Sequence, residues 1–269
     1  MKKQRKAFTL IELLVVISII ALLMSIMMPA LGMVKKQAQA VLCRANLRHW
    51  GLIWKMFTDD NNDQFLEGLG WGCGLEAYYK DIKIFLCPAA KKRGVVDADA
   101  ESAIGDKSHA WMGLWECESG RKPLDEQYIG SYGMNYWCSH DTSGERDDYN
   151  EVIRTTLWTR TTLKGLSEAP VFADSIHQGL CALPTDAPPT YDGEPYWGGT
   201  DVNEMRGVCI DRHPGHTVNI LFGDYSVRGV GLKELWVIRW HRVWPRDTDG
   251  SVVPPPSPWP EWMRSFREP

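Results

Sequence analysis

The sequence predicts an α+β protein: a long N-terminal helix, membrane-spanning in its first half and continuing as an amphipathic spine, packed on an antiparallel β-sheet domain. Three observations carry that expectation. From Phe8 to Met28 the only strongly polar side chain is Glu12, and about 20 apolar residues in a row are what a helix needs to cross a bilayer. After Pro29 the apolar residues become periodic, with Val34, Ala38, Val41, Ala45, Leu52 and Met56 at three-and-four spacing. Farther along, short β-rich runs alternate with Gly, Pro, Asn and Asp clusters.

A chain of 269 residues, 44% hydrophobic and 24% charged, has room for one helical anchor and one globular domain of about 190–200 residues. The expected divisions are a leader over 1–7, an apolar helix over 8–34, its amphipathic continuation over 35–58, a globular domain over 59–250 and a Pro-rich tail over 251–269. Net charge is only -4, and the densest basic cluster, Lys2, Lys3, Arg5 and Lys6, lies in the leader, so nucleic acid is not an expected partner.

Three readings of the apolar run compete. A removable secretory signal has an apolar core of roughly 7 to 15 residues, whereas this run is longer and holds an acid near its start. A plain signal anchor, oriented by Lys2, Lys3, Arg5 and Lys6 with its short end in the cytoplasm, gives Glu12 no role. An ionised side chain at the centre of a membrane helix costs roughly 2.5–3.5 kcal/mol, so such an acid marks a function and calls for a cation.

The third reading is a resemblance. Ala7, Phe8, Thr9, Leu10, Ile11, Glu12, Leu13 and Pro29 resemble the class III leader of type IV prepilins and pseudopilins. The resemblance implies that a prepilin peptidase cuts between Ala7 and Phe8, where relatives usually have Gly before the cut, and methylates the new terminus. Phe8 then becomes the first residue and Glu12 the fifth, and the new ammonium supplies Glu12 with its cation on a neighbouring subunit, since a buried pair costs less than a lone charge in hydrocarbon. It further implies a single-pass inner-membrane precursor with a periplasmic C-terminal domain, then a pilus or secretion pseudopilus built with other pilins or pseudopilins. An assembly ATPase and a platform protein follow as partners. The expected function is structural, not enzymatic.

Pro29 is expected to kink the helix without ending it, because the helical pattern resumes at once. Cys43 to Asp63 resembles a pseudopilin-like subgroup abundant in planctomycete and verrucomicrobial genomes. Within it Asp59 to Asp63 reads as a helix-ending turn. A calcium loop is the alternative, although Gln64 and Gly70 stand where an EF-hand needs Gly and Glu.

All seven cysteines, at 43, 73, 87, 117, 138, 181 and 209, follow the apolar run. An oxidising compartment would allow up to three disulfides and leave one thiol over. No CxxC is present, so the zinc-ribbon and thioredoxin signatures are missing. Ile82 to Leu86 reads as a strand stopped by Cys87 and Pro88, and the subgroup has a similar Phe-x-Cys-Pro. Cys87 is the best disulfide candidate, with Cys138 as its guessed partner. Gly130 to Trp137 and Val171 to Ser175 resemble two further strands of the subgroup, and Asp174 is expected to cap a strand end. Residues 140–165 and 183–207 read as surface excursions.

Asp211 to Val230 resembles the domain named for a His, nine residues, then Asp-Gly. Ten residues separate His213 from Asp224 here, and Tyr225 replaces the Gly. A type II′ turn on Gly223 and Asp224 is expected, because a turn centred one residue later would force positive φ on Tyr225. His213 and His216 with Cys209, Asp211 and Asp224 are zinc-ligand types, but their spacing matches no common zinc frame. No cofactor is therefore expected, with calcium and zinc as alternatives. Leu232, Trp236, Trp240 and Trp244 form a helical aromatic stripe ended by Pro245, and the tail has Trp259 and Trp262 to dock on the domain or a neighbour.

Two alternatives to a filament subunit remain: an adhesin stacking sugars on exposed Trp71, Trp111, Trp137, Trp158 and Trp197, or an anchored hydrolase built on His213 and Asp224.

Overall fold

The computed structural model describes residues 10–66, 70–91, 104–112, 129–140, 156–194, 203–246 and 251–269. The chain divides into two compact units, Met1–Ala38 and Gln39–Pro269. The first unit carries the apolar part of helix α1, Leu10–Asp60, a helix long and apolar enough to cross a membrane. Ser18 and Ser25 return their hydroxyls to the carbonyls of Val15 and Leu22, which satisfies both within the helix. The helix runs through Pro29 without ending there.

In the second unit α1 buries Ala40, Cys43, Leu47, Trp50, Trp54 and Thr58. Helical spacing was the right period, but the stripe picked from the sequence lies on the opposite face: Val41 is 54% exposed, Leu52 64% and Met56 48%. The reason is steric. The domain takes the face with the two large indoles, where Trp50 stacks on Phe172 with centroids 5.6 Å apart and Trp54 meets the same ring edge-on, burying more area than Val, Leu and Met could.

The sheet beneath runs in the order β5-β3-β4-β6-β7, from β3 (Tyr132–Asn135), β4 (Pro170–Asp174), β5 (Gly179–Leu180), β6 (Thr217–Phe222) and β7 (Val227–Gly231). All pairings are antiparallel except β3 with the short edge strand β5, so the sheet is mixed at that margin. β4 is central and buried throughout, as expected of a strand covered on both faces. A two-stranded pair, β1 (Trp111–Met112) and β2 (Ile129–Gly130), and a short helix α2 (Trp71–Gly74) complete the regular structure used below.

Several local expectations are corrected. Ile82–Phe85 is a 3-10 turn, not a strand: the Asp81 side chain accepts from the Lys83 N–H and starts it, and Phe85 turns inward to stack on Trp71. Only Lys233–Trp236 of the aromatic stripe is helical, again 3-10. Trp236, Trp240 and Trp244 are nonetheless buried, and each indole N–H donates to a backbone carbonyl, those of Asp186, Leu235 and Trp236. A buried indole needs such a partner, and non-helical turns supply carbonyls that a continued α-helix would consume. The expected surface excursions contain core residues, among them Leu157, Trp158 and Met205. The tail docks on its own domain: Trp262 donates to the Pro189 carbonyl and Trp259 packs edge-on against Trp236.

The β6–β7 hairpin also differs from the expected turn. Phe222 N–H donates to Ser226, Tyr225 N–H donates to Phe222, and Tyr225 takes φ 65, the three-residue loop that ends on a left-handed position. This is where the resembled domain has Gly. Gly223 is required for another reason: a Cβ there would lie 2.4 Å from the Leu166 carbonyl oxygen. Gly223→Ala is therefore expected to destabilise the protein by about 1–3 kcal/mol, read from the denaturation midpoint of the detergent-solubilised chain.

Candidate functional site

Four side chains from four distant stretches meet at one buried point: Cys43 of α1, Cys87 after the 82–85 turn, Asp174 at the end of β4, and His213 ahead of β6. Their donor atoms all lie within 4.8 Å of one another. His213 Nε2 is 2.9 Å from Asp174 Oδ2 and 3.5 Å from Cys87 Sγ. The Cys43 thiol donates to the two Asp174 oxygens at 3.2 and 3.4 Å.

Local structure places each member. Cys43 belongs to the buried stripe of α1, and three side chains on that helix strap the Cys87 segment to it. Gln39 donates to the Pro88 carbonyl, Asn46 to Leu86 and Trp50 to Ile84. These donors fall near one face because their spacing follows the helical repeat. Asp174 ends the central strand, where Asn219 N–H of β6 donates to Oδ2 at 3.2 Å. Arg212 lies 3.5 Å from Asp174 Oδ1, and its guanidinium also donates to the carbonyls of Asp106, Lys107, Ser131 and Ser175. That fork fixes the loop carrying His213.

The electrostatics follow from burial and pairing. Burial raises the Asp174 carboxyl, but His213 and then Arg212 outweigh it and hold the group below the ordinary carboxylate value. Burial lowers the His213 imidazole, but Asp174 overrides it and carries the group to about 10. Cys43 is pushed well above the usual thiol value by burial, then by Cys87 and Asp174. Cys87 resists burial and falls to about 6, chiefly through its hydrogen bond with Cys43 and then through His213 and Arg212. One thiol of the pair is thus poised as a thiolate.

A Cys-His-Asp relay is not what this geometry provides. A catalytic triad needs the acid on one imidazole nitrogen and the nucleophile on the other. Here Cys87 and Asp174 both address Nε2, while Nδ1 has no hydrogen-bond partner among the described residues. Cys43, Cys87 and Asp174 are fully buried and His213 nearly so, which leaves a substrate no approach.

The sequence-selected residues fare differently. His213 joins the cluster, but Asp224 does not: it sits at the exposed hairpin tip and accepts from Ser226 N–H. His216 pairs with Asp211 at 2.8 Å and stacks on Phe266, and Cys209 is a separate buried thiol. The Cys87–Cys138 disulfide is absent. Both are free thiols, with Cys87 held against His213 and Cys138 against the Pro170 carbonyl. Cys73 is the disulfide-bonded cysteine among the described residues. The Asp59–Asp63 carboxylates do not converge, since Lys55 takes Asp59, Tyr78 takes Asp60 and Thr161 takes Asp63. Trp71, Trp111, Trp137 and Trp158 are buried in the core, so they form no sugar-stacking platform, and Trp197 lies outside the described residues. Ala7 and Phe8 also lie outside them. Glu12 stands in the first turn of α1. Missed from the sequence were Cys43, Arg212 and the meeting of Cys87 with Asp174 and His213.

Residues 2–28 match the family model described as the prokaryotic N-terminal methylation motif. No curated protein and no solved structure matches the chain. The motif supports a precursor of the pilin or pseudopilin type in general, and with the apolar helix that follows it suggests membrane anchoring and association with pilin-assembly machinery in general.

Asp174→Ala would strand Arg212 and His213 as buried cations, and a loss of about 3–5 kcal/mol is expected. Asp224→Ala, which removes one exposed turn contact, should cost about 1 kcal/mol or less. Equal denaturation midpoints for the two variants would contradict this division of roles.

Proposed function

We propose that this chain is a structural subunit of a type IV pilus-like filament or a type II secretion pseudopilus. The observation that carries the reading is the methylation motif over residues 2–28, with Glu12 in the first turn of the helix that follows. In this reading a prepilin peptidase removes residues 1–7 and methylates Phe8. Residues 8–34 then span the inner membrane once, with the domain on the periplasmic side. On assembly, Glu12 meets the methylated ammonium of a neighbouring subunit, where low dielectric strengthens the pair. An acid in a membrane-depth helix is costly enough that a functional pairing is the default account of its presence.

The outer face of α1 supports the same reading. Val41, Leu42, Leu52 and Met56 stay exposed while the opposite face of that stretch is filled by the domain. An amphipathic helix normally turns its apolar side to its own core, so a second apolar stripe suits packing against other copies. The resemblance of residues 211–230 to the His-Asp-Gly domain fits a prepilin-like relative whose hairpin carries Tyr225 at the left-handed position. The buried Cys43–Cys87–Asp174–His213 cluster fits a structural part better than a reaction centre. Assembly ATPase, platform protein and fellow pilins or pseudopilins are the partners this function requires.

Co-expression with a prepilin peptidase should yield a chain that begins at Phe8 and carries one added methyl, read by mass analysis of the terminus. Glu12→Val should still insert and be cut yet give few filaments. Leu52→Asp, on the outward stripe, should shift folding stability by no more than about 0.5 kcal/mol, as exposed substitutions do, while lowering filament yield. Full-length, unmethylated protein in assembled filaments would overturn the proposal.

A further inference from the structure

We propose that Cys43, Cys87, Asp174 and His213 form a structural zinc site, a closed four-ligand centre that pins α1 and the Cys87 turn to the end of β4 and the loop before β6. This is independent of how the filament assembles.

The donor set is the first argument. Two thiolates, one imidazole and one carboxylate are all zinc ligands, and four protein donors with no open position define a structural rather than a catalytic site. Soft sulfur donors with nitrogen disfavour calcium and magnesium, which take oxygen ligands. Geometry is the second. Bond lengths to zinc of about 2.3 Å for sulfur and 2.0–2.2 Å for nitrogen and oxygen give tetrahedral edges of about 3.3–3.8 Å. The edges here are 3.5 Å for Cys87 Sγ to His213 Nε2, 3.2 Å for Cys43 Sγ to Asp174 Oδ2 and 2.9 Å for His213 Nε2 to Asp174 Oδ2. These three edges fall within about half an ångström of the tetrahedral values, and all four donors lie within 4.8 Å of one another, close enough for one ion to draw them together.

The surroundings are the third argument. Ala89 N–H donates to Cys87 Sγ at 3.4 Å, the kind of outer contact that favours a metal-bound thiolate. Two thiolates and a carboxylate against a divalent ion leave one negative charge, and the buried Arg212 guanidinium 3.5 Å from Asp174 Oδ1 balances it. Asn219 N–H, which donates to Asp174 Oδ2 at 3.2 Å, orients that carboxylate from the β6 side. With Cys87 already a thiolate, loading releases the Cys43 thiol proton and the proton on His213 Nε2 to solvent, with no change of oxidation state.

The test uses the full chain, purified in detergent without a polyhistidine tag from zinc-supplemented cells. Elemental mass spectrometry should find about one zinc per chain, and replacement by cobalt(II) should give the thiolate charge-transfer and intense visible bands of a tetrahedral site. Stripping the metal should lower the melting temperature by about 10 °C or more. The double variant C43S/C87S should lose the zinc and the cobalt bands, while C138S and C209S, which remove buried thiols elsewhere, should keep both. Since C43S/C87S could fail to fold, the cobalt spectrum of the unaltered protein decides by itself. A metal-free chain with free Cys43 and Cys87, a Cys43–Cys87 disulfide in the mapped peptides, or zinc retained in folded C43S/C87S would each overturn the proposal.

Discussion

The second unit is organised around one carboxylate that has no access to water. Asp174 ends the central strand with no exposed surface, and a buried ion survives only where opposite charge and hydrogen bonds replace its hydration. Arg212, His213, the Cys43 thiol and the Asn219 N–H supply that replacement from three directions. Each of these groups must stay where it is for Asp174 to stay charged. The register of α1 on the sheet, the path of the 212–213 loop and the seating of the Cys87 turn are thereby tied to a single side chain.

Around that point the packing is aromatic. Trp50 and Trp54 of α1, Trp71 of α2, Phe85 and Phe172 of β4 form a connected set of stacked and edge-on rings. Such rings bury large areas at small entropic cost, so one face of the helix is committed to the domain. The other face keeps Val41, Leu52 and Met56 in the open. A helix apolar on both sides, with only one side covered by its own fold, has surface left for neighbours of its own kind, which agrees with the methylation motif at the head of the chain.

Features set by adjacent residues were readable in advance. The apolar run, passage of the helix through Pro29, the turn after Asp60, the strands within Gly130–Trp137 and Val171–Ser175, and the burial of Leu232, Trp236, Trp240 and Trp244 all follow from local pattern. Where two local solutions were close in energy, reading failed. Ile82–Leu86 has the composition of a strand, yet the Asp81 cap turns it into a 3-10 element. Tyr225 accepts a positive φ because Gly223, pressed against Leu166, is the residue that must lack a side chain.

Four of the six stretches that carried the family resemblance, one in the spine, one at Cys87-Pro88, one in Val171–Ser175 and one at His213, each contribute one member of the buried cluster. Their composition was visible, but their meeting was not, since Cys43 and Asp174 stand 131 residues apart and Cys87 and His213 stand 126 apart. By itself the sequence determined the apolar helix with its acid, the helical period of the spine, and the α+β class, because these depend on periodicity and propensity over a few turns of chain. Which stripe faces inward, which cysteines stay as thiols, and that His213 answers to Asp174 rather than Asp224 were decided only by the tertiary fold. Side-chain volume and the desolvation of charge are settled between segments distant in the chain, and no local pattern encodes them.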